Sequence, residues 1–103
     1  MKKINNPPHD LSNNRVLYEF AKRLNITPMQ LIKPSKCAQI SEVRHLYCKL
    51  RHDKHRVSYS ATGREIARAH STVKYSVTRI NNLLYFKDKR IVKLWNRVKD
   101  ISE

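Results

Sequence analysis

The chain has 103 residues, enough for one small domain with one core and too few for a catalytic domain beside a recognition domain. Its 22 Lys and Arg against 8 Asp and Glu leave a formal net charge of +14, a field that attracts phosphates or acidic surfaces from a distance. The lone glycine, Gly63, excludes P-loop and dinucleotide-binding designs, whose loops need several glycines to bring backbone against a phosphate.

Residues 1 to 12, "MKKINNPPHDLS", are polar, carry Pro7-Pro8 and lack periodicity, which predicts a loose arm ahead of a domain over 13–103. From Asn13 a helical stripe begins with Val16, Leu17, Phe20 and Leu24. "NITPMQLI" restarts a short helix, with Thr27 as N-cap and Pro28 at the first helical position, where no N–H is needed. It stops at Lys33-Pro34, because a residue before proline resists the α region. "KPSKCAQ" is a basic connector. A third helix is expected from about Ser41, with Val43, Leu46, Tyr47 and Leu50 inward, and "RHDKHR" (51–56) breaks it. Ser58 can cap a fourth helix over roughly 59–67 that buries Tyr59, Ile66 and Ala67. Gly63 inside it costs about 1 kcal/mol against alanine and implies a packing reason, such as close helix approach. A turn at Arg68-Ala69 leads to a helix over 70–84, backed by Val73, Val77, Ile80 and Leu84. Asp88 can cap a last helix whose buried stripe is Ile91, Leu94, Trp95, Val98 and Ile101. Strand signals are almost absent, so the expected fold is all-α with about six helices.

A short helix, a tight turn and a second helix with polar residues at its start form the arrangement of a helix-turn-helix. The second helix of that motif enters the major groove with its N-terminal residues toward base edges. Its requirements are an apolar back and hydrogen-bonding side chains on the opposite face. His70, Ser71, Lys74 and Thr78 recur every three or four residues on that face. Ser71 or Thr72 can meet a thymine methyl, and the free N–H groups of a helix start favour a phosphate.

The run "VSYSATGREIARAHSTVKYSVTRINNL" also resembles the C-terminal DNA-binding domain of the bacterial replication initiator DnaA. That family reads roughly Ser-Leu-x-x-Ile-Gly-x-x-Phe-Gly-x-Arg-Asp-His-Thr-Thr-Val. Ser58, Gly63, Arg68, His70, Thr72 and Val73 match outright, and Ser71 replaces the first Thr conservatively. Arg79-Ile80 stands where the family has Lys-Ile. "EVRHLYCKL" has the spacing of the family's apolar helix, and "LYEFAKRLNITPMQLI" is similar to its entry helices, so the likeness covers about residues 13–100. Ala69 replaces the family's Asp, Tyr75 its second His, and Thr62 an Ile. Ser41 and Glu42 fall near an Arg-Gln pair, and Glu42 would repel a phosphate there.

The resemblance implies a Trp-repressor-like helix-turn-helix fold and sequence-specific binding to a short duplex site, one copy per site. It implies base, methyl or phosphate contacts from His70, Ser71 and Thr72. Lys74, Tyr75 and Thr78 would stand further along the same helix, and Ser58 and Arg68 beside it. In the family a basic loop before the third helix reaches the minor groove, and Lys33 and Lys36 occupy the shorter connector here. The expected role is that of a recognition domain without the initiator's ATPase, serving replication initiation or its regulation, in a bacterial or phage setting.

Other expectations follow from inventory. No apolar run approaches the ~20 residues a bilayer requires, and "MKKINNPPHD" lacks the apolar core of a signal peptide. The cytoplasm, with the nucleoid, is the expected compartment, and Cys37 and Cys48 are expected as reduced thiols. The eight acids form no couple suited to a metal or to acid/base work, so no enzyme activity, cofactor or small-molecule substrate is expected. Cys48, His52 and His55 lack the paired cysteines of structural zinc sites. Tyr47 and Trp95 read as core, not as stacking platforms, which need exposed aromatics. At least two of the basic clusters at 33–36, 49–56 and 87–90 are expected to supply phosphate contacts. Alternatives are a basic adaptor for an acidic protein partner and charge-driven binding of nucleic acid, RNA included, without sequence preference.

Overall fold

Asn14 opens the first helix by accepting a hydrogen bond on its side-chain oxygen from the Leu17 amide at 3.0 Å. The computed structural model describes residues 14–103, so the arm expected over 1–12 lies outside the described residues. Six α-helices follow in order: α1 (Arg15–Arg23), α2 (Pro28–Ile32), α3 (Ala38–Lys49), α4 (Tyr59–Ile66), α5 (His70–Tyr85) and α6 (Lys89–Val98). No strand occurs among the described residues, and the fold is all-α. No helix there is long and apolar enough to cross a membrane.

Local chemistry sets most of the boundaries. At α2 the Gln30 amide donates to the Thr27 hydroxyl at 3.2 Å, while the Gln30 carboxamide accepts from the Thr27 amide at 2.8 Å. Ser58 and Asp88 cap α4 and α6 by accepting from the amides of Ala61 and Ile91, each at 3.0 Å. Three helices stop on a residue in the left-handed region, Asn25 after α1, Ala67 after α4 and Lys87 after α5. After α5 the Lys87 amide donates to the Leu84 carbonyl and the Asp88 amide to that of Leu83, which satisfies carbonyls the helix leaves open.

The third helix departs from expectation at both ends. It starts at Ala38, three residues ahead of Ser41, because Cys37 provides the N-cap position without any side-chain hydrogen bond for sequence to signal. Nor does "RHDKHR" stop it. The helix runs on as a π-helical turn over Leu50–Lys54, spanned by the Lys49–Asp53 ion pair at 2.7 Å.

The core joins Val16, Leu17 and Phe20 of α1, Leu31 of α2, Val43, Leu46 and Tyr47 of α3, and Ile66 of α4. Val73, Val77 and Ile80 of α5 and Ile91 and Val98 of α6 complete it. Phe20 and Tyr47 meet edge to face at 5.2 Å between ring centroids. Tyr47 is fully buried, whereas Tyr59, Leu84, Leu94 and Trp95 are half-buried and pack against the core's margin. Ala67, expected inside, is exposed: it is the left-handed residue that ends α4 and so turns outward.

Candidate nucleic-acid interface

The turn between α4 and α5 is three residues long, Ala67 to Ala69, and Gly63 sets its geometry. The Arg68 amide donates to the Gly63 carbonyl at 2.8 Å, folding the chain back over the helix end. A Cβ at position 63 would lie 2.3 Å from the Arg68 carbonyl oxygen and 3.5 Å from a Val73 methyl. The packing reason for this glycine is therefore the turn itself, brought within contact of its own helix. Only a residue without a side chain allows that approach.

Helix α5 has two distinct faces. Val73, Val77 and Ile80 are buried, and so is Ser76, a polar residue three positions after Val73 and therefore on the same helical stripe. Ser76 is accommodated because its hydroxyl meets His45 Nδ1 of α3 at 2.6 Å. Burial, reinforced by the positive charges of Arg79 and Arg44, pushes the His45 imidazole down to about 4, so the pair is neutral near pH 7. On the other side His70, Ser71, Thr72, Lys74, Tyr75 and Thr78 are all exposed. Tyr75 leaves 59% of its surface open and meets the His45 ring edge to face at 5.9 Å. Ala69 supplies no side-chain cap to α5, and its first turn holds no acidic residue.

Arg68 and Ser58 hold this unit in place. The Arg68 guanidinium donates to the carbonyls of Ile32 and Ile66 at 2.8 and 2.9 Å, and to that of Lys33 at 3.1 Å. It thus ties the end of α2 to the turn before α5. Arg44, buried in α3, donates to the Leu31 carbonyl at 2.8 Å and to those of Gln30 and Lys33 at 3.4 and 3.3 Å. Two guanidinium groups converge on the C-terminal carbonyls of α2, where helix polarity favours cations. Desolvation, with Arg68 next, lowers the Arg44 pKa from its ordinary value. This double clasp brings the connector, with Lys33 and Lys36 exposed on it, beside the turn that leads into α5. Ser58 is exposed and engaged in capping α4.

The cluster 49–56 is largely turned inward. Arg51, 7% exposed, donates to Glu65 of α4 through Nε at 2.9 Å and through its terminal nitrogen at 2.8 Å. Glu65 also accepts from the Tyr47 hydroxyl. Lys49 bonds Asp53 and the Asn81 carboxamide and lies 5.2 Å from the Trp95 ring centre. His52 stacks on Tyr59 at 3.9 Å, and His55 reaches the Ile101 carbonyl at 2.8 Å. Cys48 is buried, and desolvation pushes its thiol up to about 12. No group of three His, Cys, Asp or Glu among the described residues is arranged to hold a metal. Of this cluster only Lys54 and Arg56 are exposed.

Acidic side chains are engaged elsewhere. Of the seven described, Glu19, Glu42, Asp53, Glu65, Asp100 and Glu103 are in ion pairs, and Asp88 caps α6. Glu42 lies between Arg79, at 3.9 Å, and Arg90, which bonds it directly, so its charge is more than offset locally. None of these acids pairs with Lys33, Lys36 or Lys74. The result is a polar, cationic surface over the start of α5 and the adjacent connector. No family model, curated protein or solved structure matches this chain.

Proposed function

We propose that this protein binds double-stranded DNA with sequence preference, inserting the first turns of α5 into the major groove. The observation that carries the reading is the division of α5. Its buried face fixes the helix to the body, while six polar side chains from His70 to Thr78 face solvent with no acidic ion-pair partner among the described residues. Hydroxyl, imidazole and ammonium groups on one helical face are the donors and acceptors that base edges require. The DnaA-like run over α4 and α5 supports the same reading and suggests a Trp-repressor-like recognition domain. In that mode Ser71 and Thr72 meet methyls or phosphate at the helix start, His70 and Lys74 reach base edges or backbone, and Tyr75 and Thr78 extend the contact. Arg68 and Ser58 act from behind, Arg68 by holding the connector and Ser58 by starting α4. Lys33 and Lys36 then lie against the flanking phosphates.

Retention of a labelled duplex carrying a DnaA-box-like site, against a scrambled duplex at ~150 mM salt, tests the reading, since unspecific contacts weaken there. Sequence preference predicts stronger retention of the first; equal retention would overturn it. His70→Ala and Thr72→Ala should each cost about 1–3 kcal/mol on the preferred site and relax the choice of base. Selection of sites from random duplexes would give the preferred sequence directly.

A further inference from the structure

The far end of α5 carries a second surface of a different kind. Tyr85 and Phe86 are 79% and 76% exposed and meet edge to face at 5.2 Å between ring centroids. They protrude at a helix end. The chain there carries an excess of positive charge. Lys87 and Lys89 follow immediately, both exposed and without an ion pair among the described residues. The only acid in that segment, Asp88, is occupied in capping α6. Lys87 moreover sits in the left-handed region, at φ 59°, a position where glycine would be easier. The chain thus keeps a cationic side chain beside the rings at a conformational cost.

We propose that Tyr85 and Phe86 are a stacking platform for unpaired bases, with Lys87 and Lys89 drawing in the phosphates of the same strand. Three features select this occupant. Projecting aromatic rings beside ammonium groups fit a single-stranded nucleic acid, whose every base offers a flat π-face and whose backbone is anionic. An apolar peptide offers no anion to the ammonium groups beside these rings. A duplex hides its base faces, and the residues proposed to meet it end at Thr78, about 10 Å short of Tyr85 at 1.5 Å per residue. The platform is independent of the duplex reading, because no residue is shared between the two surfaces.

The test uses the full chain and fluorescently labelled dT15 in an anisotropy titration, with an abasic oligomer of equal length and charge as control. The platform predicts that dT15 binds more tightly than the abasic strand. It also predicts that Tyr85→Ala/Phe86→Ala weakens dT15 binding about tenfold or more while leaving any duplex binding and thermal melting unchanged. Tyr85→Trp should retain affinity, and Tyr85→Leu, apolar but without a π-face, should lose it. Equal binding of dT15 and the abasic strand would overturn the proposal, as would a double-alanine variant that binds dT15 like wild type. Loss of concentration-dependent sedimentation in that variant, without loss of dT15 binding, would assign the rings to self-association instead. Loss of duplex preference through His70→Ala alone bears only on the other surface.

Discussion

Two basic stretches, 33–36 and 49–56, invite the same reading in sequence and behave differently in the fold. In the second, Arg51 finds Glu65, Lys49 finds Asp53, and both histidines find backbone or ring partners, so most of its charge serves cohesion. In the first, Lys33 and Lys36 face solvent, and the arginines near them, Arg44 and Arg68, grip carbonyl oxygens instead of acids. A basic run is left free to meet an external anion only where no carboxylate lies within reach. With seven described acids, nearly all already paired, that condition is met among the described residues by Lys33, Lys36 and Lys74, and also by Lys54, Lys87 and Lys89.

The contrast can be broken by mutation, most severely at the inner cluster. Glu65→Ala removes the two-pronged partner of the buried Arg51 guanidinium, leaving it only His55 and the more distant Glu103, and removes the acceptor of the Tyr47 hydroxyl, and should lower stability by about 3–5 kcal/mol in urea unfolding. A loss below about 1 kcal/mol would mean that solvent reaches Arg51. Next in size is the turn that presents α5. Gly63→Ala forces a methyl group against the Arg68 carbonyl and should cost roughly 1–3 kcal/mol, whereas Ala67→Gly should gain up to about 1 kcal/mol by relieving the left-handed residue. Equal melting of the two variants would contradict that geometry.

A pH titration sharpens the comparison at the rear of α5. The native His45 pKa is depressed to about 4 against an ordinary value of 6.5, so the unfolded chain takes up a proton first as pH falls. Its contribution is complete above about pH 6.5 and declines from there toward pH 4. His45→Gln should show less loss of stability than wild type across that window, seen as a smaller shift in the urea midpoint; identical shifts would remove His45 as the cause. The smallest effect on folding belongs to the outer cluster. Lys36→Ala should change stability by no more than about 0.5 kcal/mol. On the duplex reading it should also weaken all duplexes alike and lower the salt slope by about one. A loss confined to one sequence would instead assign Lys36 to base readout.

Most of the helices were legible because their starts carry chemistry in adjacent residues. Thr27-Pro28, Ser58 and Asp88 announce their caps, and the apolar stripes of α1, α3, α5 and α6 identify their inner faces. The start of α3 was not legible, since Cys37 caps nothing with its side chain. The π-helical turn was hidden for a different reason. A run of six polar residues looks like a loop unless one knows that Arg51 meets a carboxylate fourteen positions away. Burial of Ser76 and Arg44 likewise depends on partners from other elements, His45 in one case and α2 carbonyls in the other. For the candidate surface, residue types and helical spacing pointed to His70, Ser71, Thr72, Lys74 and Thr78, and the family resemblance added Tyr75. The tasks of Arg68 and the exposure of Tyr85 and Phe86 required the tertiary fold.

The Arg44–Arg68 clasp holds the connector entirely by main-chain oxygens, a grip indifferent to which side chains the connector displays. Position is thereby separated from identity. Lys33 to Lys36 can be recoded, by selection or by design, while the segment stays docked at the foot of α5, which makes it the natural place to retune what this small domain touches without rebuilding it.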